Sequence, residues 1–263
     1  MYAFTFDKPS TLADASKAAA GGAKPLAGGQ TLLASMKLRL SEPGSLVDLG
    51  GIKELAGIQR EGNALVIGAM TRHIDVANSA EVKATIPGLA DLAAHIGDKQ
   101  VRAMGTLGGS VANNDPSACY PSAVLGLGAT VHTTQRQIAA DDFFQGMFTT
   151  ALNEGELITA ISFPIPKKAV YMKFNQPASR FAMTGVFVAQ TDSGVRVAVT
   201  GAGSGGVFRH TGLEDALNKS FTPQAAAAVK VDSSDLNADL HATANYRANL
   251  ISVLTQRAVA QLS

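Results

Sequence analysis

Two glycine pairs set among short polar residues are the features of this 263-residue sequence that could do chemistry: Ala27-Gly28-Gly29-Gln30-Thr31 and Thr106-Leu107-Gly108-Gly109-Ser110. Paired glycines let a backbone enter positive φ and approach a ligand with no Cβ in the way. Consecutive N–H groups in such a loop converge on an anion, and a helix opening near Thr31 adds its positive end. Gln30, Thr31, Thr106 and Ser110 place polar side chains beside the same backbone. Two such loops facing each other suit a diphosphate, which carries oxygens on both sides. Taken singly, each pair reads equally as a tight strand-to-helix turn. Neither is followed by Gly-Lys-Ser/Thr, which disfavours a nucleoside triphosphate. A charge-assisted hydrogen bond contributes roughly 1.5–3 kcal/mol net, whereas nanomolar binding needs about 12 kcal/mol. A buried ring system and a nucleoside must therefore supply much of the affinity.

Other chemistry is sparse. Gly201-Ala202-Gly203-Ser204-Gly205-Gly206 satisfies G-x-G-x-x-G after the strand-like Val195–Thr200. A nicotinamide-binding unit needs a helix opening from that loop and further parallel strands. Val207 through Gly212 follow instead, so the motif reads as a glycine-rich turn. Cys119 is the only cysteine, so no intrachain disulfide forms and no iron–sulfur cluster can be held by this chain alone. His73, His95, His132, His210 and His241 lack ligand spacing. No general base or nucleophile stands out, and redox chemistry here needs an organic cofactor.

Hydrophobic residues make up 46% and charged residues 16%, the latter below the roughly 25% usual in soluble domains. This fits a surface partly covered by other subunits, or simply an Ala/Gly-rich composition. A net charge of +1 without a basic block argues against nucleic acid and anionic membrane as partners. The N-terminal residues lack the basic-then-apolar pattern of a signal peptide, and no apolar run approaches the ~20 residues of a membrane span. A cytoplasmic location is expected.

The elements that must hold the two loops follow from periodicity and turn residues. Ser10 caps a helix over Thr11–Ala20 that Gly21-Gly22 stops, and Lys24–Ala27 is a short strand. Leu32, Leu33, Met36 and Leu40 give helical spacing over Thr31–Leu40. Ser45–Leu49 and Leu65–Ala69 are strands, Thr71–Ser79 and Gly88–Ile96 helices, and Gln100-Val101-Arg102 irregular. A hairpin over Thr130–Thr134 and Arg136–Ala139 precedes the strand Glu156–Phe163. Pro164-Ile165-Pro166 is the best domain boundary. Beyond it lie strands Tyr171–Phe174, Ala182–Gln190 and Val195–Thr200, then helices within Leu213–Leu217, Ala225–Val229 and Tyr246–Leu262. The fold class is α+β.

At the glycine loops the sequence resembles a known family, the FAD-binding medium subunits of molybdenum hydroxylases, which includes the medium chain of aerobic carbon monoxide dehydrogenase and the FAD-binding subunit of xanthine dehydrogenase. Ala27 through Leu33, continuing to Met36-Lys37-Leu38-Arg39-Leu40, is similar to the first flavin motif, and Gln100-Val101-Arg102 with Thr106 through Ala112 and Asp115-Pro116 to the second. Val47-Asp48-Leu49, Asp142-Phe143-Phe144 with Gly146 and Phe148-Thr149-Thr150, Tyr171 through Phe174, Tyr246-Arg247 and Arg257-Ala258 also match, so the likeness spans nearly the whole chain. It implies an FAD-binding fold of the vanillyl-alcohol-oxidase (PCMH) type over 1–166, with subdomains of about 1–57 and 58–166. It further implies a C-terminal domain over 167–263 built of a three-stranded antiparallel sheet and helices. Implied partners are a large molybdopterin subunit and a small subunit with [2Fe–2S] clusters, assembled as a dimer of heterotrimers; the medium subunit would pass electrons from the clusters through FAD to an external acceptor.

By motif position the resemblance assigns Pro25, Leu26, Ala27, Gly28, Gly29, Gln30, Thr31 and Leu32, with Thr106, Gly108, Gly109, Ser110 and Asp115, to the cofactor, and Ile96, Ile158 and Lys173 to the flavin or its ribityl chain. Ile96 and Ile158 equally fit core positions, and Lys173 a solvated strand residue. Two residues depart from the family pattern. Cys119 stands where relatives carry an Asp that helps hold the flavin, and Arg180 stands where many carry an acid. A thiol is a poor acceptor. Rival readings are a flavin-free structural subunit of the same kind of complex and a stand-alone flavin reductase or oxidase.

Overall fold

The first glycine loop is delivered by a small parallel sheet. In the computed structural model, which describes all residues Met1–Ser263, strands Thr5–Asp7, Ser45–Asp48 and Lys24–Leu26 lie side by side in that order. The helix Leu12–Ala20 crosses between the first strand and the third. Thr11 caps it by accepting from the Asp14 amide at 3.2 Å, so the cap falls one residue after the expected Ser10. Ala15 and Ala19 bury against Val47, Leu49, Ile52, Leu55 and Leu157, closing a small core around the sheet.

The second loop belongs to a larger unit. Five antiparallel strands run in the order Ile58–Glu61, Ala64–Gly68, Ile158–Pro164, Thr130–Thr133 and Gln137–Ala139. Helices His73–Asn78, Ala80–Thr85 and Pro87–Ala94, together with Leu107–Asn113 and Tyr120–Gly126, bury Val76, Val82, Leu89, Leu92, Leu107 and Tyr120 in one continuous core with Leu65, Ile67, Ile161 and Phe163 of the sheet. The stretch expected to be irregular is a helix, Lys99–Met104, because Asp98 accepts from the Val101 amide at 2.8 Å and supplies a cap.

Past the Pro-rich segment, strands Lys168–Asn175, Ala182–Thr191 and Gly194–Thr200 form an antiparallel sheet, with a two-residue fourth strand, Phe208–Arg209, at its edge. Successive side chains point to opposite faces. Ala169, Tyr171, Phe187, Ala189 and Ala198 join the core of the larger unit, while Val170, Val186, Val188, Val197 and Val199 pack with Leu213, Leu217, Ile251, Leu254 and Ala258. The latter come from helices Thr211–Lys219 and Ala244–Leu262. A sheet covered on both sides has no polar face, which is why 186–189 reads as an unbroken apolar run. Thr200 locks the sheet to the segment that carries Cys119, its hydroxyl donating to the carbonyls of Pro116 at 2.9 Å and Ala118 at 2.7 Å.

Candidate cofactor site

The two glycine loops touch. A Cβ on Gly28 would lie 2.1 Å from the Met104 carbonyl oxygen and 2.7 Å from the Gly105 Cα, and one on Gly109 would lie 3.2 Å from the Ala27 Cβ. The strand Lys24–Leu26 carries the first loop to this seam, and the short helix Leu32–Lys37 leads away. Gly29 turns the chain at φ +72°, a conformation that costs other residues energy. On the other side, Thr106 caps the helix Leu107–Asn113 by accepting from the Gly109 amide at 3.2 Å. The space a Gly108 side chain would need is taken by Ala69, whose Cβ is 2.5 Å from that point.

An account of backbone donors separates the two loops. Leu107 donates to the Thr71 carbonyl at 3.0 Å, Gly108 to Ala69 at 2.8 Å and Ser110 to Thr106 at 3.1 Å. The second loop therefore spends those amides on the protein. The first does not: the N–H groups of six consecutive residues, Ala27 to Leu32, have no acceptor in the protein, and neither has that of Thr106. Ala27, Gly28, Gly29 and Leu32 are half-buried while Gln30 and Thr31 are exposed. Backbone donors withdrawn from water are almost always paired, so the half-buried members of the run mark a place where something else can accept. The hydroxyls of Thr31 and Ser110 are likewise unengaged, and the Gln30 amide turns back to the Gly28 carbonyl at 3.1 Å. Pro25 and Leu26 lie in the delivering strand and the half-buried Leu32 opens the helix.

Behind the seam sits a residue that sequence reasoning passed over. His73 is 4% exposed, its amide donates to the Gly105 carbonyl at 2.9 Å, and a Cβ on Gly105 would fall 2.5 Å from its Nε2. Burial, aided by the Arg102 guanidinium, lowers its pKa to about 4, so the ring is neutral. Histidine spacing offered no signal; the signal lay in Gly105, which directly precedes Thr106.

The remaining candidates are spread around this centre. Asp115 accepts from the Ser117 amide at 2.8 Å and shapes the turn before Cys119. Cys119 is 5% exposed and faces the Tyr171 hydroxyl, which finds no acceptor. Burial first, and the thiol second, push the Tyr171 phenol above its ordinary range. Ile158 is buried in the five-stranded sheet and Ile96 packs half-buried on the same core. Lys173 reaches from the C-terminal sheet to donate to the His95 carbonyl at 2.9 Å, next to Ile96.

A cleft of about 600 Å³ lies elsewhere, lined by the Gly203–Gly206 turn, Arg209, His210 and Lys230. The G-x-G-x-x-G run leads there into the strand Phe208–Arg209, which pairs antiparallel with Gly194–Thr200, so it opens no nucleotide-binding helix. No helix is long and apolar enough to cross a membrane.

Known proteins share this arrangement from end to end. Residues 2–166 match the family described as FAD binding domain in molybdopterin dehydrogenase. The chain is 33% identical to the glyceraldehyde dehydrogenase medium chain of Sulfolobus acidocaldarius, over 99% of this chain and 98% of that one. It is 35% identical to the carbon monoxide dehydrogenase medium chain of Hydrogenophaga pseudoflava, over 90% and 88%. A chain of the reconstituted CO dehydrogenase from Oligotropha carboxidovorans superposes with a TM-score of 0.93 at 31% identity, covering 99% of this chain and 98% of that chain. The chain belongs to the family of FAD-binding domains of molybdopterin dehydrogenases, as a medium-chain component of an oxidoreductase.

Proposed function

We propose that this chain is the FAD-binding electron-transfer subunit of a molybdenum hydroxylase of the carbon monoxide dehydrogenase type. The observation that carries the reading is the run of unpaired amides from Ala27 to Leu32 at the seam between the loops. Such a donor row fits a diphosphate, because several N–H groups share one dispersed negative charge without the desolvation penalty of a buried cation. In this reading Pro25 to Leu32 follow one flank of the diphosphate while Thr106, Gly108, Gly109 and Ser110 close the other. Gly108 and Gly109 act by letting the second loop sit flush against Ala69 and Ala27, and the Thr106 amide and the Ser110 hydroxyl remain to donate. Asp115 and Cys119 shape the adjoining wall, and Ile96, Ile158 and Lys173 flank the flavin. Residues 1–166 form the cofactor domain, in subdomains of about 1–57 and 58–166, and 167–263 the medium-chain domain that braces it.

Bound flavin would supply the redox chemistry, and the chain's part would be to hold it between the [2Fe–2S] clusters of a small partner subunit and an external acceptor. The substrate is oxidised at a molybdopterin site on a large subunit, in a cytoplasmic dimer of heterotrimers. Relatives named for carbon monoxide, glyceraldehyde and nicotine align with most of this chain, and chains of CO dehydrogenase and quinoline 2-oxidoreductase share its fold, which fits a medium subunit that carries electrons and does not select the substrate. Titration of the full chain with FAD tests the reading: one flavin bound per chain supports it, and a colourless protein indifferent to FAD overturns it.

A further inference from the structure

A stack of residues runs down from the first cofactor loop. Gly28 abuts the Met104–Gly105 peptide, Gly105 abuts the His73 ring, and that ring packs on Tyr120 with centroids 5.2 Å apart. The grip on Gly105 is double, through the His73 amide at 2.9 Å and through the ring edge, which leaves no room for a Gly105 side chain. Yet neither ring nitrogen is hydrogen-bonded within the protein, and Nδ1 and the Tyr120 hydroxyl are both buried without a partner. An imidazole kept for its hydrogen bonds would not be left so; this one is kept as a neutral wedge of fixed thickness.

We propose that His73 is a positioning residue for the cofactor: its uncharged ring presses Gly105 against Gly28 and so sets the spacing of the two loops. The inference rests on the FAD reading above. The Tyr120 phenol from the 120–126 helix packs on the ring, and the charge of the Arg102 guanidinium from the 99–104 helix, which donates to the Ile96 carbonyl at 3.0 Å, is felt there. A proton on His73 would put an imidazolium in a buried site that already feels that positive charge. The neutral ring is thus a condition of the closed seam, and closure weakens as pH falls from 6.5 toward 4, the ordinary and the folded values for this group.

The test measures FAD affinity of the full chain by flavin fluorescence from pH 8 to pH 4.5, for the wild type, His73→Ala and His73→Phe, with circular dichroism as a check on folding. Shortening the ring should weaken binding about tenfold or more at pH 8, the equivalent of roughly 1.4 kcal/mol. His73→Phe, which restores the ring, should recover most of the affinity and lose the decline that the wild type shows below pH 6.5. Wild-type affinity for His73→Ala at pH 8, or the same acid decline in His73→Phe as in the wild type, would overturn the assignment. A wild type that takes up no FAD at pH 8 sinks the cofactor reading itself, a different result from either.

Discussion

Gly28 lies so close to the Met104–Gly105 peptide that a methyl group on it would stand 2.1 Å from the Met104 carbonyl oxygen. The two loops can meet only because this position carries no side chain. Gly28→Ala must push backbone against backbone, an overpacking that costs on the order of 1–3 kcal/mol or more. The expected outcome is a loss of FAD affinity of roughly 10- to 100-fold, read by flavin fluorescence. A variant that binds like the wild type would show that the loops need not touch.

Gly108 and Gly205 make a paired test. A side chain at 108 would collide with Ala69, whereas nothing lies within 4 Å of a Cβ at 205. Gly108→Val should release the flavin and lower Tm, and Gly205→Val should change neither. Equal flavin content in the two purified variants would count against assigning the cofactor to the 106–110 loop.

The Tyr171 hydroxyl is buried without a hydrogen-bond partner and faces the poorly accepting thiol of Cys119. An unsatisfied buried hydroxyl costs about 1–3 kcal/mol. Tyr171→Phe should therefore raise Tm by roughly 2–4 °C. Calorimetry that finds Tm lowered would mean that the hydroxyl has a partner.

Glu156 ties the 130–139 hairpin to the start of the central strand. It accepts from Arg136 Nε and Nη2, each at 3.2 Å, from the Thr133 hydroxyl at 2.6 Å and from the Asn153 amide at 2.8 Å. Burial alone would raise its pKa, but these donors outweigh burial and hold it below 4.5. A depressed carboxyl contributes stability that is present above the unfolded value and lost as pH falls through the folded one. Thermal scans should show the wild type losing a few degrees as pH drops below about 4.5, and Glu156→Gln should be less stable at pH 7 and flatter in acid. Parallel profiles for the two proteins would contradict this.

Much of this architecture is legible in local sequence. Gly-Gly followed by Gln-Thr, and Thr-Leu-Gly-Gly-Ser, signal close approach, since such positions tolerate little else. What glycine cannot say is what approaches. Gly108 yields to Ala69 and Gly28 to Met104–Gly105, so the glycines seat protein on protein, and the donors left free belong mainly to the first loop. The helix Lys99–Met104 escaped because its six residues show no apolar periodicity and its cap, Asp98, has to be seen in place. His73 escaped because its role depends on a partner 32 residues away that bears no side chain. The C-terminal strands were plain from their apolar runs, while the two-residue strand Phe208–Arg209 exists only through pairing with Ala198 and Val199.

Amide chemical shifts of the ¹⁵N-labelled chain, followed during separate titrations with FAD, ADP and riboflavin, test most directly whether the first loop grips a diphosphate. FAD and ADP should both move the amides of Gly28 to Leu32 strongly, riboflavin should leave them in place, and the Leu107 and Gly108 amides, already bonded to Thr71 and Ala69, should move little. Flavin binding that leaves residues 28–32 unshifted would contradict the account.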